Sequence, residues 1–452
     1  LAANGLEIIP SARRMIRSQR DLGYEFAAAV ADLIDNSIEA KASTVRVNVD
    51  WLGVATTVTI ADNGEGMSPE QLREALRFGS ERDYDDADLG KFGLGLKTAS
   101  LSQCLRLTVA TRRNPNRADI AAYCWDVEHV EAKNRWEILP VKTTDLPPLA
   151  LSHLKETTGT VVIWERLDRI LGYKYPDGEH ARKHLFAVTR EMEEHVSMVF
   201  HRFLAGEVRG KRLAIYVNEN KLVPWDPFAR SEKETKALDS NAFPVEGIKG
   251  RSAVIVEPFV LPPESKFSSK EAHTRAAGPR KWNMQQGFYI YRADRMIQSG
   301  GWCGLRVVDE HRKLSRIAVS FNPKLDEEFE INVPKMRVAL PSEIRADIEA
   351  WTKPAVKMAE EIYRTKSPSS PPVPPPPAPP PGPGGGTPKP PDDRDFKIPG
   401  GGGTSQKSKK RTATAQELDL VADLLIQVAD ASEVVAVENA IARARMKLEG
   451  QF

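Results

Sequence analysis

Residues Asp88–Ser100, DLGKFGLGLKTAS, decide how this chain is read. Three glycines precede a lysine and a threonine, the composition of a phosphate-binding loop. A P-loop requires G-x-x-x-x-G-K-[S/T], with the lysine directly after the last glycine. Gly90 and Gly95 have that separation, but Leu96 stands between Gly95 and Lys97. On a helix, one residue swings the lysine by roughly 100°. The dinucleotide fingerprint G-x-G-x-x-G fails as well, because the glycines here run in the opposite sense, G-x-x-G-x-G. What remains is a glycine loop leading into a helix, whose meaning depends on its companions.

Two patterns lie upstream. In ADLIDNSIEA, Ala31–Ala40, the i,i+4 spacing puts Asp32 and Asn36 on one helix face, while Leu33, Ile34 and Ile38 point elsewhere. A carboxylate and an amide oxygen so placed can position a water and a hard cation. The same pattern also describes a solvated helix face. In IADNGEGM, Ile60–Met67, a strand runs into Asp62, and Gly64 and Gly66 let the backbone turn tightly and approach a flat ligand. An Asp at a strand end can accept from an exocyclic amine such as that of adenine; an ordinary Asp/Gly turn has the same composition. An EF-hand loop is excluded, since no alternate oxygen ligands and no closing glutamate follow.

Taken in order, D-x-x-x-N on a helix, D-x-G-x-G after a strand, G-x-x-G-x-G before a helix and then TTGTVVIW (Thr157–Trp164) resemble the GHKL, or Bergerat-fold, ATPases: the gyrase, heat-shock chaperone, histidine kinase and MutL relatives. The resemblance covers roughly residues 20 to 168. It implies ATP and Mg²⁺ as ligands. Asn36 would ligate Mg²⁺. Asp62 would bind the adenine amine with help from Thr160, and Gly64, Gly66 and Met67 would admit the base. Gly90, Lys91, Phe92, Gly93, Leu94, Gly95 and Lys97 would form the phosphate-covering lid, whose amides and following helix start face the phosphates. Asp32 takes the place of the general base. Many members of the family carry glutamate there; aspartate is one methylene shorter, so the water must sit closer or the helix must shift. Asp35 faces roughly 60° away and is held in reserve as the base. GFYIYRADRMIQSGGW (Gly287–Trp302) and FEINVPKMRVALP (Phe329–Pro341) resemble the second, transducer domain of MORC-like and MutL-like members. That likeness implies that Lys335 enters the ATP site and touches the γ-phosphate. Arg292, Arg295 and Trp302 read equally well as packed structural residues.

The fold expected is α+β: an ATPase sandwich with a mixed sheet and helices on one face, then a transducer-like α/β domain. TVRVNVD, TTVTIAD, LRLTVAT, IAAYCWDV and GTVVIWERL alternate as strands, and Ser68, Pro69 and Gln71 start a helix with a capping box. The organisation expected is an arm over 1–20, the ATPase domain over 21–168, the second domain over 169–365, a linker over 366–411 and a helical hairpin over 412–452. The linker follows from SPSSPPVPPPPAPPPGPGGG, which cannot build a core. The tail follows from a capping box at Thr414 and Glu417 and from three-four spacing of Leu418, Val421, Leu425 and Val428. Two short helices bury little alone, so the tail is expected to self-associate or to dock on a partner.

Bulk properties narrow the class. The 452 residues carry a net charge of only +2, which gives no global argument for nucleic acid. Cys104, Cys124 and Cys303 are too few and too far apart for a disulfide framework or a metal site. No apolar run approaches ~20 residues and no secretory h-region is seen, so a cytoplasmic protein without a membrane span is expected. The resemblance implies an ATP-dependent homodimeric clamp acting on DNA, with the basic runs Gly278–Trp282 and Lys407–Arg411 available for phosphate contacts. The alternative is a chaperone or signalling ATPase with a protein client recruited through the proline-rich linker or the tail. A sensor kinase fits badly, because only about twenty residues precede the Asp32 helix; a topoisomerase fits badly, because no cleavage domain follows.

Overall fold

The computed structural model describes residues 8–21, 23–79, 95–116, 119–331 and 338–366. Gly90 to Leu94, Lys335, the proline-rich linker and the 412–452 tail lie outside the described residues.

The helix carrying the first motif is built by an alanine-rich run with high helix propensity. The first helices are α1 (Ala12–Arg20) and α2 (Phe26–Glu39), followed by β1 (Thr44–Asp50) and β2 (Thr57–Asp62). Next come α3 (Pro69–Leu76), α4 (Gly95–Leu101), β3 (Arg106–Arg112) and β4 (Ala121–Asp126). Then follow α5 (Val127–Lys133), β5 (Leu139–Pro140), α6 (Pro148–Glu156) and β6 (Gly159–Glu165). The expected capping box at Ser68 forms in full: Ser68 N donates to Gln71 Oε1 at 2.9 Å, and Gln71 N donates to Ser68 Oγ at 3.2 Å.

The first sheet has eight strands in the order β5-β4-β3-β6-β2-β1-β7-β8, where β7 is Ala214–Val217 and β8 is Asn220–Lys221. All its pairings are antiparallel except β1 with β7. The main core lies on the face where Ile34 and Ile38 of α2 meet Val45, Val47, Ile60, Val109 and Trp164 of the strands. A smaller core covers the other face at β2, β3, β4 and β6, where Ala61, Ala110 and Ala122 let Ala150 and Leu154 of α6 approach closely. Helices therefore lie mainly, but not only, on one face.

The first sheet extends past residue 168. The long helix α7 (Glu179–Val199) turns Ala181, Leu185, Met192 and Val196 into the main core, and β7 pairs with β1. Sequence pattern placed this helix at the head of the second domain; its apolar stripe completes the first. The stretch read as an N-terminal arm contributes α1, which buries Ala12 and Ile16 in the same core. Arg20 fastens α1 to the domain through Asp168 at 2.6 Å and the Leu101 carbonyl at 2.9 Å.

After α8 (His201–Leu204) and the strands β7 and β8, the chain builds a second sheet. Its strands are β9 (Lys236–Ala237), β10 (Asn241–Gly247), β11 (Gly250–Val260), β12 (Gly287–Arg292), β13 (Arg295–Ser299) and β14 (Ser315–Phe321). They run β10-β11-β14-β12-β13, with β9 on β11, and β12 is parallel to β14. The helices α9 (Lys270–Ala277), α10 (Lys281–Met284) and α11 (Ser342–Lys366) complete the layer. Ile344, Ile348 and Val356 of α11 pack with Phe243, Val254, Val256 and Ile290. Arg292 forms a buried ion pair with Asp326, Nε to Oδ1 at 2.6 Å, and Trp302 donates its indole N–H to Gln286 Oε1 at 3.0 Å, so both residues are structural. Among the described residues no helix is long and apolar enough to cross a membrane.

Candidate nucleotide site

Asp62 ends β2 with its carboxylate buried. One oxygen accepts from Gly64 N at 2.8 Å and from Thr160 N at 3.3 Å; the other accepts from Ser37 Oγ at 3.3 Å. A carboxylate has about four lone-pair sites, so acceptor capacity remains for one further donor. The glycines that follow are dictated by close approach. A side chain at position 64 would start 2.6 Å from the Ala40 carbonyl oxygen. Gly66 has φ of +64°, and a Cβ there would lie 2.2 Å from the Arg112 carbonyl oxygen. The turn is thereby pressed between the end of α2 and the end of β3. Met67 N donates to Thr111 Oγ1 at 2.9 Å, and Thr111 in turn lies 3.2 Å from Thr160 Oγ1. His153 of α6 reaches the Asp62 carbonyl at 2.8 Å.

Burial raises the Asp62 carboxyl from its ordinary 3.8 to about 6, while the Gly64 and Thr160 amides pull the other way. A carboxyl raised in this way favours the folded state at low pH, and that contribution is lost as pH rises through about 6. An added donor that needs the ionised form binds with the opposite dependence. Adenosine affinity is therefore expected to fall about tenfold between pH 7 and pH 5, as Asp62 protonates. Calorimetry with adenosine, whose base titrates below this range, checks it; a flat profile would remove Asp62 from the binding site.

Asp32, Asp35 and Asn36 lie on α2, whose Ala29, Val30, Leu33, Ile34 and Ile38 face the core. Asp32 and Asp35 are both buried, and Asn36 is half-buried. Buried acids are normally paired, and here the partner comes from the second sheet. Arg295 places Nε 2.8 Å from Asp35 Oδ2 and a terminal nitrogen 3.6 Å from Asp32 Oδ1. Burial and the neighbouring Asp32 carboxylate raise the Tyr24 phenol well above its ordinary range. Burial, reinforced by the Arg295 charge, lowers the His195 imidazole to about 4. The start of α4 reaches the same place, since a side chain at Gly95 would begin 3.8 Å from Asp32 Oδ2. The structure thus brings Asp32 beside the end of the glycine-rich stretch.

Lys97 is a correction. The resemblance puts it on the phosphates; in the structure it is buried, and its ammonium donates to the carbonyls of Ala75 at 2.9 Å and Arg77 at 2.7 Å. The end of a helix leaves carbonyls without intrahelical donors, and Lys97 supplies them for α3. Burial lowers its ammonium to about 8. Gly90, Lys91, Phe92, Gly93, Leu94 and Lys335 lie outside the described residues. Ser37, Thr111, His153, Tyr24 and the Arg295 contact were not singled out from sequence. Ser37 and Thr111 sit within motif segments and were reachable from helix and strand facing alone; the others depend on packing between distant segments.

Comparison with known proteins finds likeness over the same part of the chain. Residues 24–160 match the family model for histidine kinase-, DNA gyrase B- and HSP90-like ATPases. The chain is 33% identical over 111 residues to the DNA mismatch repair protein MutL of Halobacterium salinarum, covering 24% of this chain and 16% of that protein. It is 39% identical over 92 residues to MutL of Coxiella burnetii, covering 19% and 16%. It is 32% identical over 94 residues to the protein MICRORCHIDIA 6 of Arabidopsis thaliana, covering 20% and 14%. The chain therefore spans about one sixth of the length of these curated relatives. Residues 24–160 thus match the histidine kinase-, gyrase- and HSP90-like ATPases, and the chain is similar over part of its length to MutL and MICRORCHIDIA proteins.

Proposed function

We propose that the chain binds ATP with Mg²⁺, hydrolyses it slowly, and uses the cycle to gate a homodimeric clamp on DNA. The observation that carries this reading is the Asp62 carboxylate, held by two main-chain amides with acceptor capacity left and joined through Ser37 to α2, the helix of buried Asp32 and half-buried Asn36. These residues fit an adenine nucleotide and its metal. Asp62 and Thr160 take the adenine, Gly64, Gly66 and Met67 border it, and Asn36 supplies an oxygen for Mg²⁺. When bound, Mg²⁺ neutralises phosphate charge. Asp32 orients the attacking water and accepts its proton as the water oxygen bonds to the γ-phosphorus and the bond to ADP breaks. Gly90 to Gly95 cover the phosphates, and Lys97 of α4 keeps its bonds to the end of α3.

Lys335 contacts the γ-phosphate from the second domain in this reading. Lys335→Ala is expected to leave ADP affinity nearly unchanged and to reduce turnover about 100-fold, the scale for removing one well-placed donor. Calorimetry with ADP and phosphate release with ATP check the pair; normal turnover in the folded variant would make this lysine a surface residue.

The relatives named as DNA mismatch repair proteins favour DNA as the client. Size-exclusion chromatography with light scattering, with and without a non-hydrolysable ATP analogue, each repeated with DNA across a salt series, tests the whole reading. Analogue-dependent doubling of mass and salt-sensitive DNA retention are expected. A monomer under all conditions would exclude the clamp, and salt-independent behaviour without DNA retention would favour a protein client.

A further inference from the structure

We infer that Arg295 is a positioning residue, through which the second sheet holds the helix that carries Asp32. The inference rests on the ATPase reading above and adds to it the route by which the two layers communicate.

Arg295 is the first residue of β13, yet its partners lie on α2, about 260 positions earlier in the chain. The guanidinium is buried, with Nε 2.9 Å from Asp35 Oδ1 and 2.8 Å from Asp35 Oδ2, and a terminal nitrogen 3.6 Å from Asp32 Oδ1. Asp35 takes the short contacts and Asp32 the long one. The arginine thereby fixes α2 through Asp35 and restrains Asp32 without enclosing it. A lysine has a single ammonium and cannot span both carboxylates in this way.

Three buried charges are an uneconomical means of joining two layers, because desolvation offsets much of the attraction. Apolar contacts are at hand, for Phe200 lies 5.8 Å beneath the guanidinium and the main core runs alongside. The ion cluster therefore specifies geometry more than it contributes stability. The hairpin that delivers Arg295 is itself constrained. Its two turn residues, Ala293 and Asp294, have φ of 45° and 66°, a conformation that alanine adopts only when its surroundings impose it. Those surroundings are visible: Asp294 Oδ1 meets Arg202 at 3.0 Å, Arg202 stacks 3.6 Å above the Tyr291 ring, and the Tyr291 hydroxyl meets His201 Nε2 at 2.8 Å. The hairpin tip is thus locked to α8 on one side and to α2 on the other. A shift of this hairpin reaches the helix of Asp32 directly through the Arg295 side chain.

The test uses the full chain and two variants, Arg295→Gln and Arg295→Lys. Hydrogen exchange of residues 26–39 and 287–299 is followed with and without a non-hydrolysable ATP analogue, beside kcat and KM for ATP. In the wild type the analogue is expected to slow exchange in both segments. In Arg295→Gln the protection of 26–39 persists, that of 287–299 is lost, and kcat falls by about 10- to 100-fold with KM nearly unchanged, the cost of a misplaced reacting group. Arg295→Lys, which keeps the charge and folds more readily, recovers part of the hairpin protection. A folded variant with a lowered melting temperature but normal kcat and undiminished hairpin protection overturns the inference and leaves the ATPase reading standing. If Arg295→Gln does not fold, wild-type values in Arg295→Lys overturn it equally. Absence of any analogue-dependent protection of 26–39 in the wild type overturns the ATPase reading itself, and this inference with it.

Discussion

Asp62→Asn is expected to weaken adenine-nucleotide binding by about 100-fold or more, close to abolishing it. The fold around the residue dictates this. Gly64 N and Thr160 N both donate to the same carboxylate oxygen, at 2.8 and 3.3 Å, so an asparagine must turn its amide oxygen toward them. Its NH₂ group then occupies the second position, beside Ser37. That hydroxyl can adapt, because it also donates to the Leu33 carbonyl at 3.1 Å and can accept from the new amide. An exocyclic amine has no such freedom: two donors face each other in a buried site, and neither finds an acceptor. The variant keeps every main-chain hydrogen bond at the turn, so its melting temperature should stay close to wild type. Calorimetry with an ATP analogue measures the loss. Unchanged affinity in the folded variant would end the adenine assignment, and with it the role given to Thr160.

What the sequence made legible was local. The strand into Asp62 and the two glycines after it are read from alternation and turn chemistry. The structure shows why glycine is needed, since Cβ atoms at 64 and 66 would strike backbone. The capping box at Ser68 and Gln71 is a three-residue signal and forms as expected. The helix of Asp32 is legible from its alanines and apolar stripe. Long-range pairing was not legible. The register of β1 with β7 joins Val45 to Ile215, and nothing within either strand names the other. α7 has an apolar stripe that any layer could use, and it serves the first. Lys97 illustrates a different failure: a lysine beside glycines was read as a phosphate ligand, while the carbonyls that hold it belong to a helix end some twenty residues earlier. The choice of Asp32 over Asp35 as the base rested on the family resemblance and on helix facing; the arginine contacts that set the two carboxylates apart come from another sheet.

That separation sets the second large effect. Asp32→Asn is expected to keep nucleotide affinity within a few fold and to lower turnover by about 10²- to 10⁴-fold, the range for loss of a positioned general base. The substitution preserves shape, and a group that acts only as the proton leaves the water contributes to the transition state and little to ground-state binding. Asp35 offers the natural control, because it is a carboxylate on the same helix, equally buried, and engaged at 2.8 Å by Arg295. A carboxylate held this closely by a guanidinium is committed to positioning the helix, and its oxygens are turned toward Arg295. Asp32 stands farther from the same guanidinium, at 3.6 Å, and beside the start of α4, where the glycine-rich stretch ends. Asp35→Asn should therefore lower the melting temperature and reduce turnover less than Asp32→Asn does. Single-turnover phosphate release at saturating ATP compares the two directly, since it isolates the chemical step from nucleotide exchange. Should Asp35→Asn stop turnover while Asp32→Asn does not, the base is Asp35, and Arg295 must release it during the cycle.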